Sequence, residues 1–296
     1  IFLLENVRSR QREGDWVPLP SVWAAPSIAD NGYIGPGYVY PYQNDITAVT
    51  KITYSTDSIA TIPSGDFPDP KRDAATFSSL TAGYITAGTG GAPSNTPSGT
   101  RNQFTYKFTY ATETTARALP GPATNHDGGS GGLGNTGMGG VSNSEIAYTN
   151  NSNEHGTPSA YYSKLHKFTS ASETWNTPGS FTEAWYYSGQ GFGNQTYAYW
   201  AGGNPGIRSN VRRVTYATDT MAYPTSNLAA TRSRVAASSD ADSAYLFYGN
   251  QTASNPSSVP ISTIIKLTYS TETSSMLPSY MNDSAKASTS ATGNLS

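Results

Sequence analysis

Lys266-Leu267-Thr268-Tyr269-Ser270-Thr271-Glu272-Thr273 is one copy of a phrase that the chain repeats. It reads K-I-T-Y-S-T-D-S from Lys51, K-F-T-Y-A-T-E-T from Lys107, K-F-T-S-A-S-E-T from Lys167 and R-V-T-Y-A-T-D-T from Arg213. A proline follows each copy, at Pro63, Pro120, Pro178, Pro224 and Pro278. The basic residues lie 56, 60, 46 and 53 apart, so the unit is roughly fifty residues long, a period that belongs to propellers, solenoids and arrays.

Within the phrase, Ile265, Leu267 and Tyr269 alternate with Lys266 and Thr268. Period two with β-branched and aromatic residues predicts a half-buried strand. The S-T-E-T that follows is turn chemistry, because short hydroxyl and carboxylate side chains bond nearby backbone amides. A second short strand, such as Thr115–Leu119 or Ser274–Leu277, then runs to the proline, which is expected to mark the exit of a hairpin.

Upstream lies an aromatic strand ending in glycine or a small polar turn: Tyr84–Gly88, Tyr199–Gly203 and Tyr245–Asn250. Tyr84, Tyr199 and Tyr245 each fall 21 residues after the preceding repeat proline. Before that come small residues, clearest in Arg72–Ala75 and Arg234–Ala237, as suits an innermost strand crowded around an axis. No apolar stripe of helical spacing occurs. The expected fold is therefore all-β, a propeller of four-stranded blades.

The order R-x-x-A-A, Y-L-F-Y-G-N, K-L-T-Y-S-T-E-T, L-P resembles kelch repeats, with their Ala-rich strand, hydrophobic strand ending in Gly-Gly, and Tyr/Trp strand pair. The phrase also resembles the T-Y-S-T-D-T repeats of marine phage and environmental proteins, and Ser290–Ser296 is similar to a phrase those carry. The Gly-Gly doublet is present at Gly90-Gly91 and Gly202-Gly203 and becomes Gly249-Asn250 in the fifth unit. The resemblance implies a propeller and says little about activity.

The 296 residues form one domain with blades at about 21–63, 64–120, 121–178, 179–224 and 225–278. Ile1–Asn6 reads like Tyr245–Asn250, and the chain after Pro278 ends before another aromatic strand, so a sixth blade is expected from 279–296 plus 1–20. Such a blade would latch the ring and remove its exposed edges. The alternative is a seventh blade, or an excerpt of a longer array. The first residue is Ile1, which suggests a processed chain or an excerpt.

Composition narrows function. With no cysteine, there is neither a disulfide framework nor a cysteine–tyrosine radical cofactor. A net charge of −2 with 13% charged residues argues against nucleic-acid partners. Apolar runs are too short for membrane insertion. Richness in Ser, Thr, Gly, Asn and 21 tyrosines suits an extracellular or virion surface.

Candidate chemistry is sparse, and no cofactor is expected. His126 with Asp127 and His155 with Glu154 lie in loop-like sequence without metal-ligand spacing, and His166 alternates within K-L-H-K-F as a strand residue. Gly128–Gly140 lacks the G-K-[ST] ending of a phosphate loop and is read as inner-strand packing or a surface loop. Asp66, Asp69, Asp73, Asp240 and Asp242 fall in inter-blade loops and read as turn formers. Sialidase-type S-x-D-x-G-x-x-W boxes are absent. The five N-x-[S/T] sequons match chance in so Ser- and Thr-rich a chain. Trp185, Tyr186, Tyr187, Tyr40 and Tyr42 are the candidates for glycan or partner contact. The pairs Lys51 and Asp57, Lys107 and Glu113, Lys167 and Glu173, Arg213 and Asp219, and Lys266 and Glu272 recur once per unit, which points to a structural clamp.

The expected role is a non-enzymatic structural, adhesive or interaction module, such as a tail-fibre or filament component, with protein partners or copies of itself. The alternatives are a carbohydrate-binding propeller and, behind it, a secreted glycan-active enzyme.

Overall fold

The computed structural model describes residues 31–35, 37–39, 44–68, 74–86, 104–120, 135–136, 139–150, 153–154, 164–182, 191–203, 209–224, 227–232, 235–247 and 263–280. They build a β-propeller whose arrangement is compatible with kelch-like repeats. The first blade holds β1 (Asn31–Ile34), the hairpin β2 (Gly37–Val39) with β3 (Asn44–Ile46), then β4 (Val49–Thr53) and β5 (Ser58–Ile62), and a 3-10 turn follows at Pro63–Gly65. The second is β6 (Ala75–Ser78), β7 (Ala82–Thr86), β8 (Phe104–Thr109) and β9 (Thr114–Pro120). The third comprises β10 (Asn135–Thr136), β11 (Gly140–Ser142), β12 (Ile146–Asn150), β13 (Asn153–Glu154), β14 (Lys164–Thr169) and β15 (Thr174–Ser180). The fourth is β16 (Gly191–Gly193), β17 (Tyr197–Ala201), β18 (Val211–Thr215) and β19 (Thr220–Ala222). The fifth is β20 (Ala236–Ser239), β21 (Ser243–Phe247), β22 (Thr263–Thr268) and β23 (Thr273–Tyr280).

Each of these sheets is an antiparallel meander in chain order. Four have four strands, and the first shows three, β1-β4-β5, among the described residues. The described residues thus form five blades, which corrects the expected six and the alternative seven. A blade needs a run of mutually paired strands. The segments meant to share a sixth, 279–296 and 1–20, contribute only the last two residues of β23, and the rest lies outside the described residues.

The small-residue strands are innermost, and β6, β11, β16 and β20 contact one another in sequence around the axis. Two glycines show how tight this is. A Cβ on Gly140 would collide with the Thr76 carbonyl of the preceding blade, and one on Gly191 with the Gly140 carbonyl. Gly140 closes the glycine-rich run, so the inner-strand reading describes its end, while Gly128–Gly134 lies outside the described residues.

The aromatic and K-x-T-Y strands carry the core, in four clusters between successive sheets. Tyr106 and Phe108 meet the first blade's Val49 and Ile62, and Phe77, Tyr84 and Phe168 join the second and third. Tyr148, Leu165, Trp200 and Val214 fill the third joint, and Phe192, Tyr199, Leu246 and Leu267 the fourth.

Three of the five repeat prolines mark the exit expected of them: Pro63 follows β5, Pro120 is the last residue of β9 and Pro224 follows β19. In β15 and β23, by contrast, the register shifts near the proline and pairing resumes beyond it, so that Leu165 meets Gly179 and Thr263 meets Tyr280. Pro178 and Pro278 thus stand in bulges rather than at the strand's exit. Proline cannot donate to a ladder, which confines it to edges and bulges, and there it blunts the outer edge of the blade.

Gly140→Ala is expected to cost about 2 kcal/mol or more, because backbone must move. Gly179→Ala should cost less than about 1 kcal/mol, since its Cβ meets only the flexible end of Met221. Urea titration of both variants checks this contrast.

Candidate functional site

The repeated acids sit at the ends of the outer turns, and all five adopt left-handed backbone: Asp57 (φ 50°), Glu113 (51°), Glu173 (51°), Asp219 (55°) and Glu272 (51°). For residues other than glycine this conformation costs roughly 1 kcal/mol. Flanking hydroxyls hold each turn across the acid: Thr56 with Ser58 at 2.9 Å, Thr112 with Thr114, Ser172 with Thr174 and Thr271 with Thr273 at 2.7 Å, and Thr218 with Thr220 at 2.8 Å. That is the physical reading of T-x-T in the repeat.

So held, four of the five acids meet the preceding blade. Lys51 Nζ lies 2.6 Å from Glu113 Oε1, Lys167 Nζ 2.7 and 3.0 Å from the two Asp219 oxygens, and Arg213 Nη1 2.5 Å from Glu272 Oε1. Lys107 makes the same pair with Glu173. A tyrosine from the aromatic strand completes each site: Tyr33 donates to Glu113 at 3.3 Å, Tyr84 to Glu173 at 3.2 Å, Tyr199 to Glu272 at 3.1 Å, and Tyr148 donates to Asp219. The register explains the convergence, since Tyr33 pairs with Lys51, Tyr84 with Lys107, Tyr148 with Lys167 and Tyr199 with Arg213. One cation and one hydroxyl therefore rise side by side from two adjacent strands toward one carboxylate.

A second layer stacks beneath. The tyrosine of the K-x-T-Y phrase lies against the aromatic-strand tyrosine of the blade before: Tyr110 on Tyr33 at 5.2 Å, Tyr216 on Tyr148 at 5.3 Å and Tyr269 on Tyr199 at 5.1 Å. In the third copy Ser170 replaces this tyrosine, and Trp175 packs instead against Phe77 and Phe168 and donates from Nε1 to Thr105 Oγ1 at 3.1 Å.

Burial, then the neighbouring carboxylate, pushes the hydroxyls of Tyr33 and Tyr84 up to about 12, and those of Tyr148 and Tyr199 higher. They stay protonated donors. Each of these four acids is consequently occupied by a cation and a phenol, a geometry that locks two blades rather than freeing a base. A shallow depression lined by Tyr33, Lys51, Tyr110 and Glu113 opens over the first joint, and its floor is the clamp itself.

The base and acid of one copy thus belong to different joints: Lys107 reaches forward to Glu173, while Glu113 reaches back to Lys51. The tyrosines were the members sequence reasoning missed; for Tyr84 and Tyr199 the shared distance of 21 residues after the repeat proline was a usable signal, which Tyr33 and Tyr148 do not carry. Asp57 and Lys266, at the two ends, have no ion-pair partner among the described residues, and Lys266 lies over its cross-strand Tyr245 at 5.8 Å.

The other candidates divide. Trp185, Tyr186, Tyr187, Tyr40 and Tyr42 lie outside the described residues, as do His126, His155, Asp69 and Asp73. Asp240 shapes the inner turn of the fifth blade, accepting from the amides of Asp242 at 2.8 Å and Ser243 at 2.7 Å; Asn143 and Asn194 do the same in their blades. His166 is buried in β14 beside Thr177, and burial with nearby Lys164 pushes its pKa down to about 4. Arg232 is fully buried; it donates to Thr263, and burial pushes its pKa down to about 10. Among the described residues no group of three or more His, Cys, Asp or Glu converges, and no helix is long and apolar enough to cross a membrane. No protein-family model matches the chain, and no curated protein matches it.

A double-mutant cycle on Lys107→Met and Glu173→Gln should give a coupling of about 1 kcal/mol, whereas Lys107→Met with Glu113→Gln, two members of one copy, should give close to zero. His166 supplies a second expectation. Its folded pKa is below the unfolded 6.5, so its contribution is complete above 6.5 and is lost as pH falls toward 4. Stability should drop by about 2 kcal/mol more between pH 7 and pH 5 in the parent than in His166→Gln, as read by denaturant titration.

Proposed function

We propose that the chain is a non-enzymatic structural or interaction module of an extracellular or virion-surface assembly, a fibre or filament component. The observation that carries this reading is the use made of the repeat's charge. Four of the five basic residues and four of the five acids of the phrase are engaged in joints between blades. Arginine, lysine and carboxylates are the side chains from which a hydrolytic or transfer site would be built. Here they recur as identical mechanical parts, each neutralised by its neighbour. The weak net charge and the hydroxyl- and tyrosine-rich composition support an extracellular setting.

The reading makes the clamps stability elements with no catalytic duty. Glu173→Gln should lower the melting temperature by about 2 °C, the shift that a loss of about 1 kcal/mol at one part-buried joint gives in a chain of this size, and should abolish no turnover in panels of glycosidase, esterase and oxidase substrates. A reproducible activity removed by one substitution that leaves the melting temperature unchanged would contradict the proposal.

A further inference from the structure

The four joints are built from two complementary half-surfaces, and each end of the blade series carries one of them unmatched. At the fifth blade, Lys266 and Tyr245 stand directly opposite each other on β22 and β21, in the same register as the Lys51–Tyr33 and Arg213–Tyr199 pairs that grip an acid. Among the described residues nothing occupies the acid's place. At the first blade, Asp57 has the left-handed backbone and the bridged hydroxyls of every clamp acid. Beside it, Tyr54 occupies the position of Tyr110, Tyr216 and Tyr269, each of which stacks on a tyrosine of the preceding blade. Yet Tyr54 is 55% exposed, whereas Tyr269 is 6% exposed. Ile59, in the place where Trp175 and Met221 pack into the joint, is 71% exposed. Among the described residues, the acid half of a joint is therefore formed and unmatched at one end, and the base half at the other.

We infer that these halves join between molecules: Lys266 and Tyr245 of one copy receive Asp57 and Tyr54 of a second copy, head to tail. The charges are complementary, the tyrosines are placed to stack, and the same chemistry is seen made four times within the chain. Among the described residues the two halves are not joined to each other, and a second copy carries the half that each lacks. Because the contact uses different surfaces on the two partners it is heterologous, so copies add head to tail and build a ring or a filament. The inference rests on the reading of the chain as an interaction module, naming its partner.

The test uses the whole chain and sedimentation equilibrium across a wide concentration range. The parent should show a weight-average mass that rises with concentration and does not plateau at two chains. Asp57→Lys and Lys266→Asp should each weaken self-association at least about tenfold, since like charges then face each other. Neither should lower the melting temperature by more than about 2 °C, because neither side chain has an ion-pair partner within the described part of the chain and Lys266 gives up only its contact with the Tyr245 ring. Tyr54→Ser, which copies the natural Ser170, serves as the milder variant and should weaken association in the same direction. Mixing the two charge variants should restore association in equal proportions, because one retains Lys266 and the other Asp57, and the two substituted positions again face each other with opposite charges. A parent that stays monomeric at every concentration overturns the inference, as does association unmoved by these substitutions. So does a loss of stability in each single variant that only the double substitution in one chain repairs, which would mean closure within the molecule. None of these three results bears on catalysis, so the reading as a non-enzymatic module fails separately, by a measured turnover.

Discussion

A carboxylate held in left-handed backbone at the end of a hairpin is the element on which this propeller depends. The conformation is unfavourable for aspartate and glutamate, and glycine or asparagine would fit the turn with less strain. All five copies keep the acid nonetheless, at φ between 50° and 55°. The return is the reach it gives across the blade boundary, where a cation and a phenol converge on it. Exposed ion pairs contribute little, but these are part-buried, share a third donor and lie above stacked aromatics. Each joint couples polar geometry to an apolar core, so that sliding one blade past another would break both at once.

Small residues at the axis and large ones at the periphery follow from the same constraint. Near the axis the sheets approach until Gly140 and Gly191 leave no room for a Cβ. Farther out the sheets splay, and Tyr, Phe and Trp fill the widening gap; Trp200 and Tyr199 are fully buried there. Where the pattern loses its tyrosine, at Ser170, Trp175 enters from the neighbouring strand and restores contact with Phe77. The joint tolerates substitution of parts as long as volume is conserved.

Much of this was legible from residues alone. Alternation in Ile265, Leu267 and Tyr269 and the hydroxyl-rich turn are local signals, and they place strands and hairpins correctly. The direction of the clamp was not legible, because every copy carries the same base and the same acid. Sequence cannot say which copy's Glu meets which Lys, and only the stacking of sheets assigns Lys107 to Glu173. Tyr33, Tyr84, Tyr148 and Tyr199 were hidden for a related reason: a tyrosine in an aromatic strand looks like core, and these are core and donor together. Two of the five prolines misled, Pro178 and Pro278, where bulges let pairing continue to Ser180 and Tyr280. The expected sixth blade drew on similarity between Ile1–Asn6 and Tyr245–Asn250, whereas the described residues build five.

The claim that the repeat's charges act between blades is tested most directly by amide hydrogen exchange on Asp219→Asn. Asp219 belongs to the fourth blade and its partners, Lys167 and Tyr148, to the third. Exchange should quicken together in β12 and β14 of the third blade and in β18 and β19 of the fourth, with the first blade unchanged. Faster exchange confined to β18 and β19 would show that the acid serves only its own hairpin, and would contradict the account.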